Sequence, residues 1–490
     1  MPSSAAGGLP SGGPLLMSEV QARAVSELLR IAPVIDELGA RFASAGEQIA
    51  LVGGPVRDAM LGRLQNDLDF TTSAHPEVTE KLLKGWADAI WDIGRDFGTI
   101  GCRRGDWQIE ITTYRSETYD AESRKPEVAY GDNLEGDLGR RDFTVNAMAV
   151  ALPGQALEDP YGGIVDLAHR VLRTPGRPED SFSDDPLRMM RAARFTSQLG
   201  FTVAPEVRQA MTDMADRISI VSAERVRDEL VKLICSPSPR EGLLLLVETG
   251  LAEHVLPELP ALALERDEHH RHKDVYEHTL TVLEQSIALE GRLEGGGPDF
   301  VSRFAALMHD VGKPRTRKFT GDGTVTFHHH DVVGAKITKK RMQALKFSGD
   351  EIRDVSTLVE LHLRFHGYGD GQWTDSAVRR YVRDAGPLLS RLHILTRADC
   401  TTRNQRKADR LRRTYDELEE RIAHLSEAEE LNAIRPDLDG NEIMEILGIP
   451  AGRKVGAAYK FLLELRLDNG PMDRAQAVEA LRAWSAANPD

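Results

Sequence analysis

Apolar and polar positions along this chain follow two different periods, and the switch between them divides it. From Ser18, the segment EVQARAVSELLRIAPVIDELGARFASAG repeats its apolar residues every three to four positions, which predicts an amphipathic helix. The apolar run IALVGG follows and reads as a strand entering a turn. VRDAMLG then predicts a short helix, DLDFTT a strand, and HPEVTEKLLKGWA another helix. GTIGCRR and WQIEITTYR read as strands paired across the turn at Gly105–Asp106. These segments describe a small α/β unit closing near Pro153. From Asp184 the texture changes to long amphipathic helices in DPLRMMRAARFTSQLG, APEVRQAMTDMADRI and SAERVRDELVKLICS. In the last of these, Ser222 sets a polar cap ahead of apolar rows at Val226, Leu230 and Leu233. Helical patterning persists through residues 275–425 and 440–486 without the fixed period of a solenoid. The acid- and histidine-rich interval Leu262–Lys273 is the expected junction.

At 490 residues the chain is too long for one core and should form three or four domains. The expected division is a disordered N-terminus over 1–17, a head with its N-terminal helix over 18–153, and a linker and helical neck over 154–265. A helical domain with a basic helix after it follows over 266–425, then a helical tail over 426–490. The 41% hydrophobic and 28% charged residues are those of an ordinary soluble protein. Three cysteines, Cys102, Cys235 and Cys400, form no close-spaced cluster, which argues against a disulfide framework or zinc finger and suits a reducing compartment. The start MPSSAAGGLPSGGPLLMSEV lacks the basic and apolar regions of a secretory signal, and no later run is long enough to span a bilayer. A cytoplasmic protein without a membrane is expected. The net charge of −15 excludes indiscriminate coating of nucleic acid, yet it averages over local basic patches and leaves RNA binding open.

The densest chemical signal is LVGGPVRDAMLGRLQNDLDFTT, residues 51–72. Gly53 and Gly54 fall between a predicted strand and helix, where bare backbone N–H groups can approach a phosphate at the helix N-terminus. Pro55 suits the first helical turn, and Arg57, one turn in, could reach triphosphate oxygens. Gly-Gly alone would equally serve as a plain turn. Asp67 and Asp69 alternate on a strand, so their carboxylates share one face while Leu68 and Phe70 share the other. Paired like charges are costly without cations, and oxygen ligands suit Mg²⁺. Glu110, between apolar neighbours in WQIEITTYR, is the candidate third carboxylate. With two metals, one would activate a terminal RNA hydroxyl and the other would stabilise the triphosphate and departing pyrophosphate. The competing reading is a solvated strand face.

This arrangement resembles the DNA polymerase β nucleotidyltransferase superfamily and, more narrowly, the bacterial class II tRNA nucleotidyltransferase and poly(A) polymerase family. The likeness continues in RRDFTVNAMAV at 140–150, DPYGGIVDL at 159–167 and DPLRMMRAARFTSQLGF at 185–201 preceded by Asp184, in family order over roughly residues 45–235. The resemblance implies that Arg140, Arg141, Asp142 and Asn146 contact ribose and phosphates, although the arginines and aspartate could also form an ordinary ion network. It also implies that Asp184, Asp185 and Arg188 read the base of CTP or ATP, Asp accepting from an exocyclic amine and Arg donating to ring or carbonyl groups. Asp184 stands where relatives often carry Glu, and helix capping is its alternative role. The polar segment between Tyr114 and Arg140 is similar to the family's mobile loop, and helix 224–234 to a block that supports the neck.

Downstream, His278 in HKDVYEHTLTVLEQS, His309 and Asp310 in FAALMHDVGKP, and Asp399 in TRADC could ligate a divalent metal once helices bring them together. Their order resembles the HD phosphohydrolase superfamily, with Lys313 as a phosphate contact. His329, His330 and His362 are candidates for a second metal position, and the sequence does not choose among them. Such a module could hydrolyse phosphate esters at RNA ends or serve as an inactive structural fold. In the tail, Arg403, Arg406, Lys407, Arg410, Arg412 and Arg413 concentrate positive charge on a predicted helix. Arg453 and Lys454 follow the turn Gly448–Gly452. Either group could touch RNA backbone, and a solvated helix face is the equal alternative for the first.

The fold expected from these resemblances is a multidomain α+β chain. A polymerase-β-like nucleotidyltransferase head is followed by a helical neck, an all-α HD domain and a helical tail. The implied function is template-independent addition or repair of the 3′-terminal CCA of tRNA from CTP and ATP, with Mg²⁺ in the head, a second divalent metal site in the HD domain and no required protein partner. The alternatives are a poly(A) polymerase or A-adding enzyme, and an HD phosphohydrolase or RNA-binding protein whose transferase head is inactive.

Overall fold

A computed structural model describes residues 13–94, 98–118, 127–131, 133–263, 275–321, 325–367, 373–400, 405–429 and 434–489. Most of the N-terminal stretch expected to be disordered and most of the expected junction at 262–273 lie outside these residues. The chain divides into two compact units, Met1–Pro257 and Glu258–Asp490.

The first unit opens with α1 (Met17–Ser44), whose buried Val20, Ile31, Ile35, Leu38 and Phe42 carry the periodicity read from the sequence. The head elements follow as β1 (Ile49–Val52), α2 (Gly54–Met60), β2 (Asp67–Thr72), α3 (Pro76–Leu83), β3 (Ala89–Gly94), β4 (Thr99–Arg104) and β5 (Trp107–Thr113). Next come the hairpin β6 (Arg115–Thr118) and β7 (Glu127–Tyr130), α4 (Leu134–Gly139), β8 (Ala149–Leu152) and β9 (Ala156–Glu158). One mixed sheet collects these strands in the order β3-β4-β5-β2-β1-β8-β9. The strand pair expected across Gly105–Asp106 forms as β4 and β5, antiparallel. β3, β8 and β9 extend the sheet beyond the strands legible in the sequence, and β9 carries it past Pro153.

The helical remainder of this unit begins with α5 (Gly163–His169), β10 (Val171–Leu172), α6 (Pro178–Asp184), α7 (Leu187–Leu199) and β11 (Thr202–Val203). It continues with α8 (Pro205–Asp213), α9 (Ala223–Ile234), α10 (Pro239–Glu248) and α11 (Ala252–Val255). The helix expected to start at the acidic pair is interrupted: Asp185 is extended, with φ −145° and ψ 99°, and α7 begins after Pro186. Proline disfavours the helical conformation of the residue before it, which accounts for the break. Ser222 caps α9 as expected, accepting from the Arg225 N–H at 3.4 Å.

Among its described residues the second unit is helical apart from a small ribbon. Its elements are α12 (Val275–Leu289), α13 (Phe300–Met308), α14 (Lys313–Thr316), β12 (Lys318–Phe319), β13 (Val325–Thr326), α15 (His330–Ala344), α16 (Gly349–Leu361), α17 (Asp375–Ala385), α18 (Leu389–Asp399) and α19 (Gln405–Glu429). α20 (Gly440–Leu447), α21 (Arg453–Asn469) and α22 (Arg474–Ala487) then bury Leu438, Ile443, Ala458, Leu462, Ala477 and Leu481 in a core of their own.

One buried ion network ties α7 to α9. Arg194 donates to Glu229 Oε2 at 2.6 Å, Arg191 lies 3.5 Å from Oε1, and Arg194 stacks 4.0 Å over the Phe195 ring. Glu229 is 4% exposed, so its removal leaves the buried Arg194 guanidinium without its carboxylate. Glu229→Ala is expected to destabilise this unit by about 3–5 kcal/mol. Urea unfolding with and without the substitution measures the loss.

Candidate active site and candidate metal centre

The parallel register of β2 and β5 assembles the carboxylates of the head. Asp69 stands directly opposite Glu110, and Asp67 opposite Gln108, so the strand alternation that separates Asp67 and Asp69 from Leu68 and Phe70 also puts Glu110 on their face. Leu68, Phe70, Ile109 and Ile111 are buried, while the three carboxylates face outward. Asp69 is pushed up to about 6. The surrounding protein does most of this, then Glu110, with Asp67 adding less, while Arg141 and Arg57 oppose the rise. A carboxylate cluster that resists its own ionisation is matched chemically to a hard divalent cation.

Gly53 caps α2 with φ 72°, a conformation that favours glycine. A side chain there would also collide with a guanidinium, because a Cβ would lie 2.8 Å from Arg141 Nη1. Arg141 thus brings Nη1 to the turn, and its Nε is buried without a hydrogen-bond partner. Arg57 is directed differently from the expectation. It is buried, donates from Nη1 to Asn146 Oδ1 at 2.7 Å and from Nη2 to Asp58 at 2.9 Å, and lies over the Phe195 ring.

Asp142 and Asn146 also turn inward. Asn146 Nδ2 donates to Asp142 Oδ1 at 2.9 Å, the Phe143 N–H donates to the same oxygen, and Arg191 donates twice to Oδ2, at 2.8 and 2.6 Å. Burial would raise the Asp142 carboxyl, but Arg191 and Asn146 hold it well below the usual carboxylate range. Asp185 and Arg188 are joined through the backbone, the Arg188 N–H donating to the Asp185 carbonyl at 3.0 Å, while their side chains take separate partners. Asp185 accepts from the Leu187 N–H at 3.1 Å and from Arg225 at 2.7 Å, and Asp184 closes α6. Arg188 is buried, with Nη1 on Ser181 Oγ at 2.9 Å and Nη2 on the Arg140 carbonyl at 2.5 Å. Arg191 and Glu229 were missed by sequence reasoning, as was Asp137, although the i, i+3 and i+4 spacing of Asp137 to Arg140 and Arg141 is a visible signal.

In the second unit, His278 projects from α12, His309 and Asp310 follow the end of α13, and Asp399 ends α18. His278 Nε2 lies 2.9 Å from Asp399 Oδ1 and 3.7 Å from Asp310 Oδ2. The structure also chooses among the remaining histidines. His330, the first residue of α15, and His362, at the end of α16, join Asp310, while His329 is exposed. Two ligand sets therefore share Asp310: His278, His309 and Asp310, and Asp310, His330 and His362.

The imidazoles are oriented as ligands are. His309, His330 and His362 turn Nδ1 to the carbonyls of Ala306, Phe327 and Val359 at 2.8, 2.8 and 2.6 Å. Their Nε2 atoms are buried without a hydrogen-bond partner, although His309 and His330 each lie 3.3 Å from an Asp310 oxygen. Orphaned buried nitrogens cost free energy unless something fills the space between them. Burial pulls His309 down, yet Asp310 and Asp399 carry it up to about 10. His362 is lowered to about 4 by burial and by His309. α13, α16 and α18 all present C-terminal ends here, whose partial negative charge favours a cation. Gly312 makes the convergence possible, since a Cβ there would lie 2.0 Å from the His330 carbonyl. Lys313, expected to meet phosphate, donates to Asp310 Oδ2 at 2.7 Å.

Of the basic candidates, Arg406 and Arg410 are exposed on α19, Arg453 is exposed and Lys454 half-buried at the start of α21, and Arg403 and the Lys407 side chain lie outside the described residues. No helix among the described residues is long and apolar enough to cross a membrane.

Comparison with known proteins matches these regions in order. A model described as "Poly A polymerase head domain" covers residues 49–173, one described as "Probable RNA and SrmB- binding site of polymerase A" covers 200–262, and the HD domain model covers 275–404. The A-adding tRNA nucleotidyltransferase of Deinococcus radiodurans is 35% identical over 449 residues, 90% of this chain and 96% of that protein. The CCA-adding enzyme of Bacillus subtilis is 42% identical over 224 residues, so the match spans 46% of this chain and about half, 54%, of that relative. The crystal structure of the Bacillus stearothermophilus CCA-adding enzyme in complex with CTP shares the fold, with a TM-score of 0.64 at 23% identity over 94% of this chain and 98% of that one. Since the likeness to the D. radiodurans protein runs nearly end to end, the chain belongs to the family of tRNA nucleotidyltransferases and poly(A) polymerases, in the form that carries an HD domain.

Proposed function

We propose that this chain adds or repairs the 3′-terminal CCA of tRNA, using CTP and ATP and releasing pyrophosphate. The observation that carries the reading is the register pairing of Asp69 with Glu110 beside Asp67, within reach of the field of Arg141 at the Gly53 turn. In this proposal Asp67 and Asp69 hold Mg²⁺ with Glu110 alongside. Gly53, Gly54 and Arg141 receive the triphosphate, and Asp184, Asp185 and Arg188 select the base. Arg57, Asp142 and Asn146 brace the site from behind in the conformation seen. Bound Mg²⁺ would supply charge neutralisation at the triphosphate and make the terminal RNA hydroxyl more acidic. That hydroxyl would then release its proton to solvent as its oxygen bonds to the α-phosphorus and the bond to pyrophosphate breaks.

The HD ligand sets support a second assignment: a divalent metal on His278, His309, Asp310 and Asp399, with His330 and His362 completing an adjacent position, acting on phosphate esters. The same proposal divides the chain into head, neck, HD domain and tail at the expected boundaries, places RNA backbone along Arg406, Arg410 and Arg453, and locates the reaction in the cytoplasm. One observation favours a second reading of the head. The relative matched over 96% of its length is named an A-adding enzyme, so completion of CC-ended tRNA by A alone is the competing outcome.

Mg²⁺-dependent extension of tRNAs ending before CC, after CC and after CCA decides between them. Completion of CCA from CTP and ATP is expected; addition of A alone, only to CC-ended tRNA, would establish the second reading, and long A tails a poly(A) polymerase. Asp67→Asn and Asp69→Asn should each abolish addition while tRNA binding, followed by filter retention, persists. Asp69→Asn should also stabilise the metal-free protein. Because Asp69 is raised to about 6, its ionisation opposes folding, so the gain should appear at neutral pH and vanish below about pH 4. Thermal melts in EDTA at the two pH values test the sign. For the HD centre, His330→Ala and His362→Ala should lower metal content, measured by inductively coupled plasma mass spectrometry, and leave extension intact. Unchanged metal content in both would remove the second position.

A further inference from the structure

We propose that Asp137 is a positioning residue for nucleotide binding, fixing the Arg141 guanidinium against the Gly53 turn. The inference rests on the nucleotidyltransferase reading of the head. It is drawn from a carboxylate that touches neither the turn nor the acidic cluster.

Asp137 lies on α4, is 0% exposed, and gathers four hydrogen bonds from three residues. Arg140 donates to Oδ1 from Nη2 at 2.8 Å and from Nε at 3.2 Å, and Arg141 donates from Nη2 to Oδ2 at 3.3 Å. The backbone N–H of Arg115, at the far end of the polar segment that separates β5 from α4, also donates to Oδ1, at 3.3 Å. Burial would raise such a carboxyl, but the two guanidiniums hold it below its ordinary value. A charge buried this completely is tolerated because it is paired, and the pairing fixes where its partners point.

The carboxylate itself is held firmly. Leu138 packs in one cluster with Ala50, Val52, Ala147 and Ala149 of the sheet and its flank. Asn133 caps α4 through the Gly136 N–H at 2.7 Å, and Tyr161 donates to the Glu135 carbonyl at 3.1 Å. Arg188 holds the Arg140 carbonyl. From this base Arg141 reaches the turn with Nη1 where a Gly53 side chain would otherwise sit. Arg57, the other arginine of the glycine motif, has its donors committed to Asn146 and Asp58, which leaves the orientation of Arg141 to set how the turn presents positive charge to an anionic ligand. Asp137 also holds the Arg115 N–H at the start of β6, so that backbone position and the aim of Arg141 share one anchor.

Asp137→Asn keeps the size and one acceptor oxygen and removes the charge. Affinity for ATP and CTP with Mg²⁺, measured by calorimetry without RNA, is expected to fall about 10- to 100-fold, the cost of one charge-assisted hydrogen bond. In extension assays KM for both nucleotides should rise by the same factor while kcat stays within about threefold and tRNA affinity is unchanged. In an Arg141→Ala background the substitution should have no further effect on nucleotide affinity, whereas a merely structural role would add its loss to that of Arg141. If Asp137→Asn fails to fold, the charge-balanced pair Asp137→Asn with Arg140→Gln is put through the same cycle. Unchanged nucleotide affinity, or additive losses, would overturn the assignment. Nucleotide binding without extension by the unaltered chain would instead overturn the proposed function while the affinity cycle still decides Asp137, and absence of nucleotide binding would overturn both.

Discussion

Like charges brought together on one sheet face set the terms for the whole head. Asp69 and Glu110 are register neighbours and Asp67 shares their face, so folding has to hold three carboxylates where the protein itself resists ionising the middle one. The compensations are local and cationic. Arg141 sits against the glycine turn, Arg57 lies behind it, and each is held by its own acidic or amide partners. Metal and triphosphate would complete a charge balance that the polypeptide leaves incomplete, which is how a site can be stable enough to form and still gain free energy from its ligands.

The arginines do two kinds of work, and their partners separate them. Arg57, Arg188, Arg191 and Arg194 are tied to Asn146, Ser181, Asp142 and Glu229 and brace one element against another. Arg141 is fixed by Asp137 with Nη1 at the glycine turn. Fixed donors need little reorganisation when an anion arrives, so much of the ordering cost of binding is met during folding.

The HD centre mixes imidazoles with the Asp310 and Asp399 carboxylates. Three imidazoles give Nδ1 to carbonyls three residues earlier, which fixes the rings and leaves Nε2 facing inward. Helix C-termini add a negative field, and the missing side chain of Gly312 lets α15 come close enough for His330 to share Asp310. The arrangement carries all the features of a metal centre without relying on the identity of the metal.

Local pattern determined a good deal of this. The amphipathic face of α1, the β4 and β5 pair, the Ser222 cap, the shared face of Asp67 and Asp69, and the helical character of the second unit all follow from periods of two and 3.6 and from caps whose partners lie within a few residues. Tertiary structure decided the rest, because it depends on which distant segments meet. The β2–β5 register brought Glu110 to Asp69, the packing of α2 against the flank of the sheet turned Arg57 inward, and Pro186 left Asp185 outside the helix that carries Arg188. The choice of His330 and His362 over His329 was likewise made by helix ends converging from across the unit. Sequence alone supplied the chemical groups and the faces they occupy; their final partners were set by register, burial and long-range packing, which no local period encodes.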